Sequence, residues 1–280
     1  MPLTTTGELV TRARAARTAV AAFNIVTLEH VEAVVAGAEA AGAPVVLQVS
    51  ENAVAYRQGQ VLPLARAAAV AAERALVPVA LHLDHVQSDG LLGQAADAGF
   101  SSVMYDASRL PYEANLAATR AAVARAHEQG LWIEAELGEI GGKGAHVAGA
   151  RTDPAEARAF VAESGVDALA VAVGSVHAMT ARTAVLDHAL IGRLGAALDV
   201  PLVLHGSSGV PDHELRAAVA GGIAKVNVGT ALNQAMTGAV RACLAADPDV
   251  VDARRYLGAG REAMARTVER IVAGVGLTAA

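Results

Sequence analysis

Three histidines and three carboxylates stand where apolar runs of the sequence end. Asp84 and His85 close one run, Asp106 another and Glu136 a third; His177 follows Gly174-Ser175, and His205 precedes Gly206-Ser207-Ser208. Three imidazoles from separate segments are a natural donor set for Zn2+, leaving open positions for substrate oxygens. Asp106 and Glu136 fit either as additional ligands or as groups that orient the rings, and a rim salt bridge to an arginine is their plainer alternative. Each histidine alone could be a cap or a core residue; their equivalent placement is what points to one shared site. Charges that converge in this way need a metal or a substrate to offset their desolvation. Two more run ends, Gly206-Ser207-Ser208-Gly209 and Asn227-Val228-Gly229-Thr230, are small and hydroxylated, which suits close approach of a phosphate to backbone N–H groups. Asn24 and Ser50 end the first two runs.

These residues need a scaffold that brings distant run ends together. The strand-like runs are 19–24, 44–50, 79–84, 102–106, 132–136, 168–174, 202–205 and 224–227. Helical segments at 29–41, 61–76, 90–98, 112–129, 154–164, 187–198 and 212–220 separate them. Runs apolar on both faces with helices between them predict parallel βαβ units. About eight such units predict a single α/β domain over residues 1–280, a (β/α)8 TIM barrel whose active site lies at the C-terminal strand ends. The segment after Thr230 is expected to supply the last barrel helix plus extra C-terminal helices. Thr152-Asp153-Pro154 and Val210-Pro211-Asp212 mark helix starts. His82 lies inside a strand run and reads as a satisfied interior histidine; His30, His127, His188 and His213 fall in helical patterns that predict exposure, and His146 in a glycine-rich loop is undecided.

Composition narrows the function classes. With 54% hydrophobic but only 3% aromatic residues among 280, the core must be filled by Ala, Val and Leu, and disorder is excluded. One cysteine, Cys243, allows neither an internal disulfide framework nor a thiolate cluster. A net charge of −6 argues against a nucleic-acid surface, and no stretch approaches the ~18 apolar residues of a membrane helix. The start of the chain has no signal-peptide pattern, so a cytoplasmic location is expected. Only two of the 22 basic residues are lysines, Lys143 and Lys225.

In order along nearly the whole chain, Ala22-Phe23-Asn24-Ile25, Leu81-His82-Leu83-Asp84-His85, Ser102-Val103-Met104-Tyr105-Asp106, Glu134-Ala135-Glu136-Leu137-Gly138, Val173-Gly174-Ser175-Val176-His177, Leu204-His205-Gly206-Ser207-Ser208-Gly209, Lys225-Val226-Asn227-Val228-Gly229-Thr230 and Asp252-Ala253-Arg254 resemble the class II, zinc-dependent ketose-bisphosphate aldolases, including fructose- and tagatose-bisphosphate aldolases. The resemblance implies that His85, His177 and His205 hold Zn2+ and that Asp84 exchanges the C4 hydroxyl proton as the C–C bond breaks or forms. Asp106 and Glu136 match positions of a second or displaced metal. Gly206, Ser207, Ser208 and Asn227 to Thr230 match residues that grip dihydroxyacetone phosphate, and Asn24 and Ser50 match the substrate channel. Arg254 matches an arginine that reaches across a dimer to the distal phosphate. The implied reaction splits a ketose 1,6-bisphosphate into dihydroxyacetone phosphate and glyceraldehyde 3-phosphate, in a homodimer or homotetramer, with assistance from Na+ or K+ left open. The chemistry suits these residue types, because a metal chelating the C2 oxygen and a neighbouring hydroxyl stabilises the enediolate charge. A zinc-free aldolase would instead need a lysine Schiff base, for which Lys225 shares strand parity with Asn227.

Three departures bear on function. The family's mobile loop reads Gly-Gly-x-Glu-Asp, with the Glu moving the C3 proton, whereas this chain has Gly141-Gly142-Lys143-Gly144-Ala145-His146. His146, Glu139 or a metal-bound water is expected to replace it, or the substrate differs. Ala178 follows His177 where relatives often have Gly, and Gly229 occupies a position that varies between fructose- and tagatose-type enzymes. Two alternatives follow: an aldolase acting on another ketose phosphate, such as a deoxy-ketogluconate phosphate, or a non-catalytic sugar-phosphate-binding subunit.

Overall fold

The computed structural model describes residues 2–137 and 150–278. Eight parallel strands, β1 (Val20–Asn24), β2 (Val45–Ser50), β3 (Val79–Val86), β4 (Ser102–Tyr105), β5 (Trp132–Leu137), β6 (Ala168–Val171), β7 (Leu202–Leu204) and β8 (Ile223–Val228), close into a barrel in sequence order, with β8 pairing β1. This is the expected (β/α)8 architecture. The predicted sixth run is shorter than expected, ending at Val171 rather than Gly174, because Ala172 turns its backbone N–H and carbonyl to Thr152.

The described helices are α1 (Thr6–Ala16), α2 (Leu28–Ala40), α3 (Glu51–Tyr56), α4 (Leu62–Arg74), α5 (Asp89–Leu92), α6 (Ala95–Ala98), α7 (Tyr112–Glu128), α8 (Pro154–Ser164), α9 (His188–Ala197), α10 (Asp212–Gly221), α11 (Thr230–Ala246) and α12 (Ala253–Val275). Residues 90–98, read as one helix, form two short ones broken at Gly93-Gln94. The order beyond Thr230 also differs from expectation. α11 is the added helix, and α12 closes the ring against α2 and α10. At that seam a Cβ on Gly37 would lie 2.5 Å from the Ala265 carbonyl oxygen, so only glycine permits the close approach.

Strand alternation sorts side chains into two populations. Outward residues such as Phe23, Leu47, Leu81, Leu83, Ile133 and Val226 join the main core under the helices. Inward residues near the N-terminal ends are small and apolar: Val20, Ala22, Val46, Ala80 and Ala224 pack with Leu9, Val10 and Ala13 of α1. α1 thus plugs that end. Its start is fixed by Thr5, whose hydroxyl accepts from Glu8 N–H, and by Thr6 N–H donating to Ser101 Oγ. Further up the interior the inward positions turn polar: Gln48, His82, Asp84, Glu134, Glu136, Lys225 and Asn227 are all buried.

Candidate active site

Two bulges break the alternation, and the first delivers two functional side chains. Between the pairs Leu83–Val103 and Val86–Tyr105, β3 has two residues, Asp84 and His85, where β4 has only Met104. The extra residue falls at Asp84-His85, and His85 takes the left-handed region with φ +51°. A regular strand would send these neighbours to opposite faces; the bulge lets both line the same cleft. In β8, Leu202 and Val203 face Ile223 and Lys225, so Ala224 is the extra residue and both it and Lys225 point inward.

His85, His177 and His205, from β3 and the segments after β6 and β7, converge. One ring nitrogen from each lies within 4.8 Å of the others. Ring centroids are 5.0 to 5.6 Å apart and the planes cross at 62 to 72°, so the rings face a common point rather than stack. This is the donor chemistry Zn2+ takes in open sites, and the residues fit the ion. Asp106 Oδ2 sits 2.7 Å from His85 Nδ1, and Glu136 Oε2 sits 2.9 Å from His205 Nδ1. In this geometry each carboxylate hydrogen-bonds one ring.

His205 is fully buried and bonded at both nitrogens, because its Nε2 also meets Glu134 Oε1 at 2.8 Å. Burial disfavours a charged ring, but the bonds to Glu134 and Glu136 overcome it and raise the pKa to about 10. Glu134 Oε2 accepts from Lys225 Nζ at 2.8 Å. Burial pushes Glu134 up, yet Lys225 and His205 outweigh it and hold the carboxyl at about 2. Metal and proton therefore compete for His205.

Asp84 faces the same centre. Its Oδ2 accepts from Asn24 Nδ2 at 2.7 Å, and Gln48 Nε2 steadies Asn24 Oδ1 at 3.4 Å. Among the described residues, Oδ1 of Asp84 is buried with no partner, as are both polar side-chain atoms of Asn227. Burial would raise the Asp84 pKa, but His85, His82, His205 and Lys225 hold it well below the usual carboxylate range. A buried, ionised carboxylate with an open lone pair is poised to accept a proton or a hydroxyl.

The cleft has two lobes that share Asn52, His85 and His177. One, of about 220 Å3, is lined by Asn24, Ser50, Asp84, Gly206, Ser208, Asn227, Gly229 and Thr230 among others. Gly206 is indispensable to its shape: φ is +67°, and a Cβ would lie 2.7 Å from the Val176 carbonyl. The N-terminus of α11 opens at Thr230 on this lobe, and Ser208 Oγ accepts from Ala231 N–H at 3.0 Å. The second lobe, about 400 Å3, carries Glu51, Asp106, Glu136 and Arg109.

Several expectations change. Ser207 and Val228 turn inward to the fold: Ser207 Oγ donates to Leu204 O, and Val228 belongs to the apolar core, so only their backbones are available to a ligand. Ala178 adopts φ +60°, the conformation a glycine would take without strain. Arg254 lies exposed at the start of α12, paired with Asp252, and lines neither lobe. His82 is only half satisfied, with Nδ1 2.7 Å from Ser102 Oγ and Nε2 unpartnered; burial, reinforced by Lys225, lowers its pKa to about 3. His30, expected to be exposed, is buried between Thr27 and Asn233. Glu139, Lys143, Gly144 and His146 lie outside the described residues. Sequence reasoning missed Asn52, Arg109 and the role of Glu134. Period-two parity with Glu136 on β5 was the available signal for Glu134.

The chain matches the family model described as fructose-bisphosphate aldolase class-II over residues 4–278. It belongs to that family. Family members are metal-dependent carbon–carbon lyases acting on phosphorylated sugars. The chain is 39% identical over 273 residues to a fructose-bisphosphate aldolase of Staphylococcus aureus, covering 96% of each, and 38% identical to its counterpart in Staphylococcus epidermidis with the same coverage. Among solved structures, the YdjI aldolase of Escherichia coli K12 superposes with a TM-score of 0.85 at 30% identity over 98% of both chains. Among the described residues no helix is long and apolar enough to cross a membrane.

Proposed function

We propose that the protein is a zinc-dependent aldolase that cleaves and forms a ketose 1,6-bisphosphate, of fructose or tagatose type, exchanging it with dihydroxyacetone phosphate and glyceraldehyde 3-phosphate. The observation that carries this reading is the meeting of His85, His177 and His205 within 4.8 Å, beside the open lone pair of Asp84. Zinc held by these three rings would supply Lewis-acid stabilisation of negative charge on the ketose oxygens.

The chain's own residues have distinct tasks. Asp84 Oδ1 takes the C4 hydroxyl proton in cleavage and returns it in condensation, while Asn24 keeps the carboxylate aimed by holding Oδ2. The small lobe takes the phosphate through backbone N–H groups around Gly206, Ser207, Ser208 and Gly229 to Thr230, aided by the positive end of α11. Asn227, with both side-chain polar atoms unpaired, hydrogen-bonds the hydroxyls next to it. Asp106 keeps the His85 ring turned toward the ion through Nδ1, and Glu136 stands at the cleft-side nitrogen of His205. Ser50 and Asn52 border the distal part of the substrate, and the exposed Arg254 is suited to serve a neighbouring subunit of a homo-oligomer.

The lysine route loses support on geometry. Lys225 is fully buried, committed to Glu134, and borders neither lobe. A non-catalytic subunit has no use for an ionised, open Asp84 beside three convergent histidines. The test is a cleavage assay on fructose 1,6-bisphosphate and tagatose 1,6-bisphosphate before and after EDTA, with zinc added back. Activity lost to chelator and restored by zinc supports the reading; undiminished cleavage by demonstrably metal-free protein overturns it.

A further inference from the structure

The interior charges beneath the histidines have no direct task in the chemistry above. Lys225, Glu134 and His205 come from β8, β5 and the end of β7, and all three are fully buried. They form one chain of contacts: Nζ of Lys225 to Oε2 of Glu134 at 2.8 Å, then Oε1 of Glu134 to Nε2 of His205 at 2.8 Å. The two carboxylates on His205 are not equivalent. Glu136 borders the larger lobe, where it can yield to an incoming ion. Glu134 borders neither lobe and is tied from behind by the ammonium group. Displacing it would strand Lys225 as an unpaired buried charge, among the costliest defects an interior can hold.

We infer that Lys225, acting through Glu134, is a positioning residue that fixes the His205 ring with Nε2–H bound to Glu134, so that Nδ1 is the nitrogen presented to the metal. The inference rests on the reading that His205 is a metal ligand. Lys225 reaches Glu134 because it shares inward parity with Asn227 on β8 and lies level with the inward Val20 of β1. A ligand imidazole whose other nitrogen donates to a carboxylate has its tautomer and orientation set, and losing such a partner typically weakens metal binding about 10- to 100-fold.

The test starts with the parent protein. Zinc is titrated into chelator-stripped protein against a chromogenic competitor, and long-range 1H–15N spectra of histidine-labelled, zinc-loaded protein identify which His205 nitrogen carries the proton. A His205→Gln sample assigns the signals. A protonated Nε2 with metal at Nδ1 is expected; metal at Nε2 overturns the inference without any variant of the pair. Lys225→Met is expected to bind zinc about 10- to 100-fold more weakly. Lys225→Met/Glu134→Gln, whose amide oxygen still accepts from Nε2–H, is expected to regain most of that affinity. A Lys225→Met protein with lowered Tm but parental zinc affinity reduces the pair to a structural role and overturns the inference. Failure of the parent to bind zinc overturns the underlying metal reading, and with it this one, and is distinguished because it appears before any substitution.

Discussion

The two ends of the barrel interior solve opposite problems. At the N-terminal end, Leu9, Val10 and Ala13 of α1 meet Val20, Ala22, Val46 and Ala80 in a dry layer of small apolar side chains. There one bulge at Ala224 adds only a small apolar side chain, and the polar groups of Thr6, Ser101 and Ser102 find one another. At the C-terminal end the strands bulge, His85 and Ala178 adopt left-handed backbone, and Asp84 and Asn227 keep buried polar atoms without partners. Strain and unmet hydrogen bonds cost stability, and they gather where a ligand can repay them. The contrast teaches that stability is vested in one end and chemistry in the other.

That division can be broken by substitution. The largest effect is expected from Asp84→Asn, which keeps the bond with Asn24 feasible but removes the proton acceptor. kcat/KM for the bisphosphate should fall about 1,000-fold, within the usual reach of general acid–base catalysis, while zinc content and Tm stay near parental values. A variant that retains activity would move the proton transfer to another group. At the opposite end, Leu9→Ala should cost about 3 kcal/mol of unfolding free energy in urea, because the plug is fully buried, and leave kcat/KM of the folded enzyme unchanged. An altered kcat/KM would show that the two ends are coupled.

The smallest effect concerns His30, in the outer ring, which ties α2 to α11 through Asn233. Burial lowers its pKa, so the unfolded chain takes up the proton first as pH falls below about 6.5. Its contribution to stability is therefore present above that pH and is lost as pH drops toward the lowered folded value. Tm measured between about pH 7.5 and 5.5 should decline less steeply in His30→Gln than in the parent. Identical slopes would remove His30 from the acid response.

The apolar runs revealed the barrel because both faces of every strand are buried, so strand positions are continuous rather than alternating. The histidines were legible for the same reason, since each ends a run and run ends share one rim. α1 escaped notice because the apolar part of its buried face is Leu9, Val10 and Ala13 within an arginine-rich stretch, and α3 because it begins directly after Ser50 with no loop. His30 was misread because helical position alone does not tell which side α11 covers. The pairing of Glu134 with Lys225 joins strands 91 positions apart, and nothing local to either segment signals the other. Arg254 carries a motif but pairs with Asp252 and has no contact with the cleft.

The α1 plug bears on exchange as well as on strength. With Leu9, Val10 and Ala13 at zero exposure, the floor beneath His82, Glu134 and Lys225 is dry, and protons held on those buried groups are expected to trade slowly with the solvent.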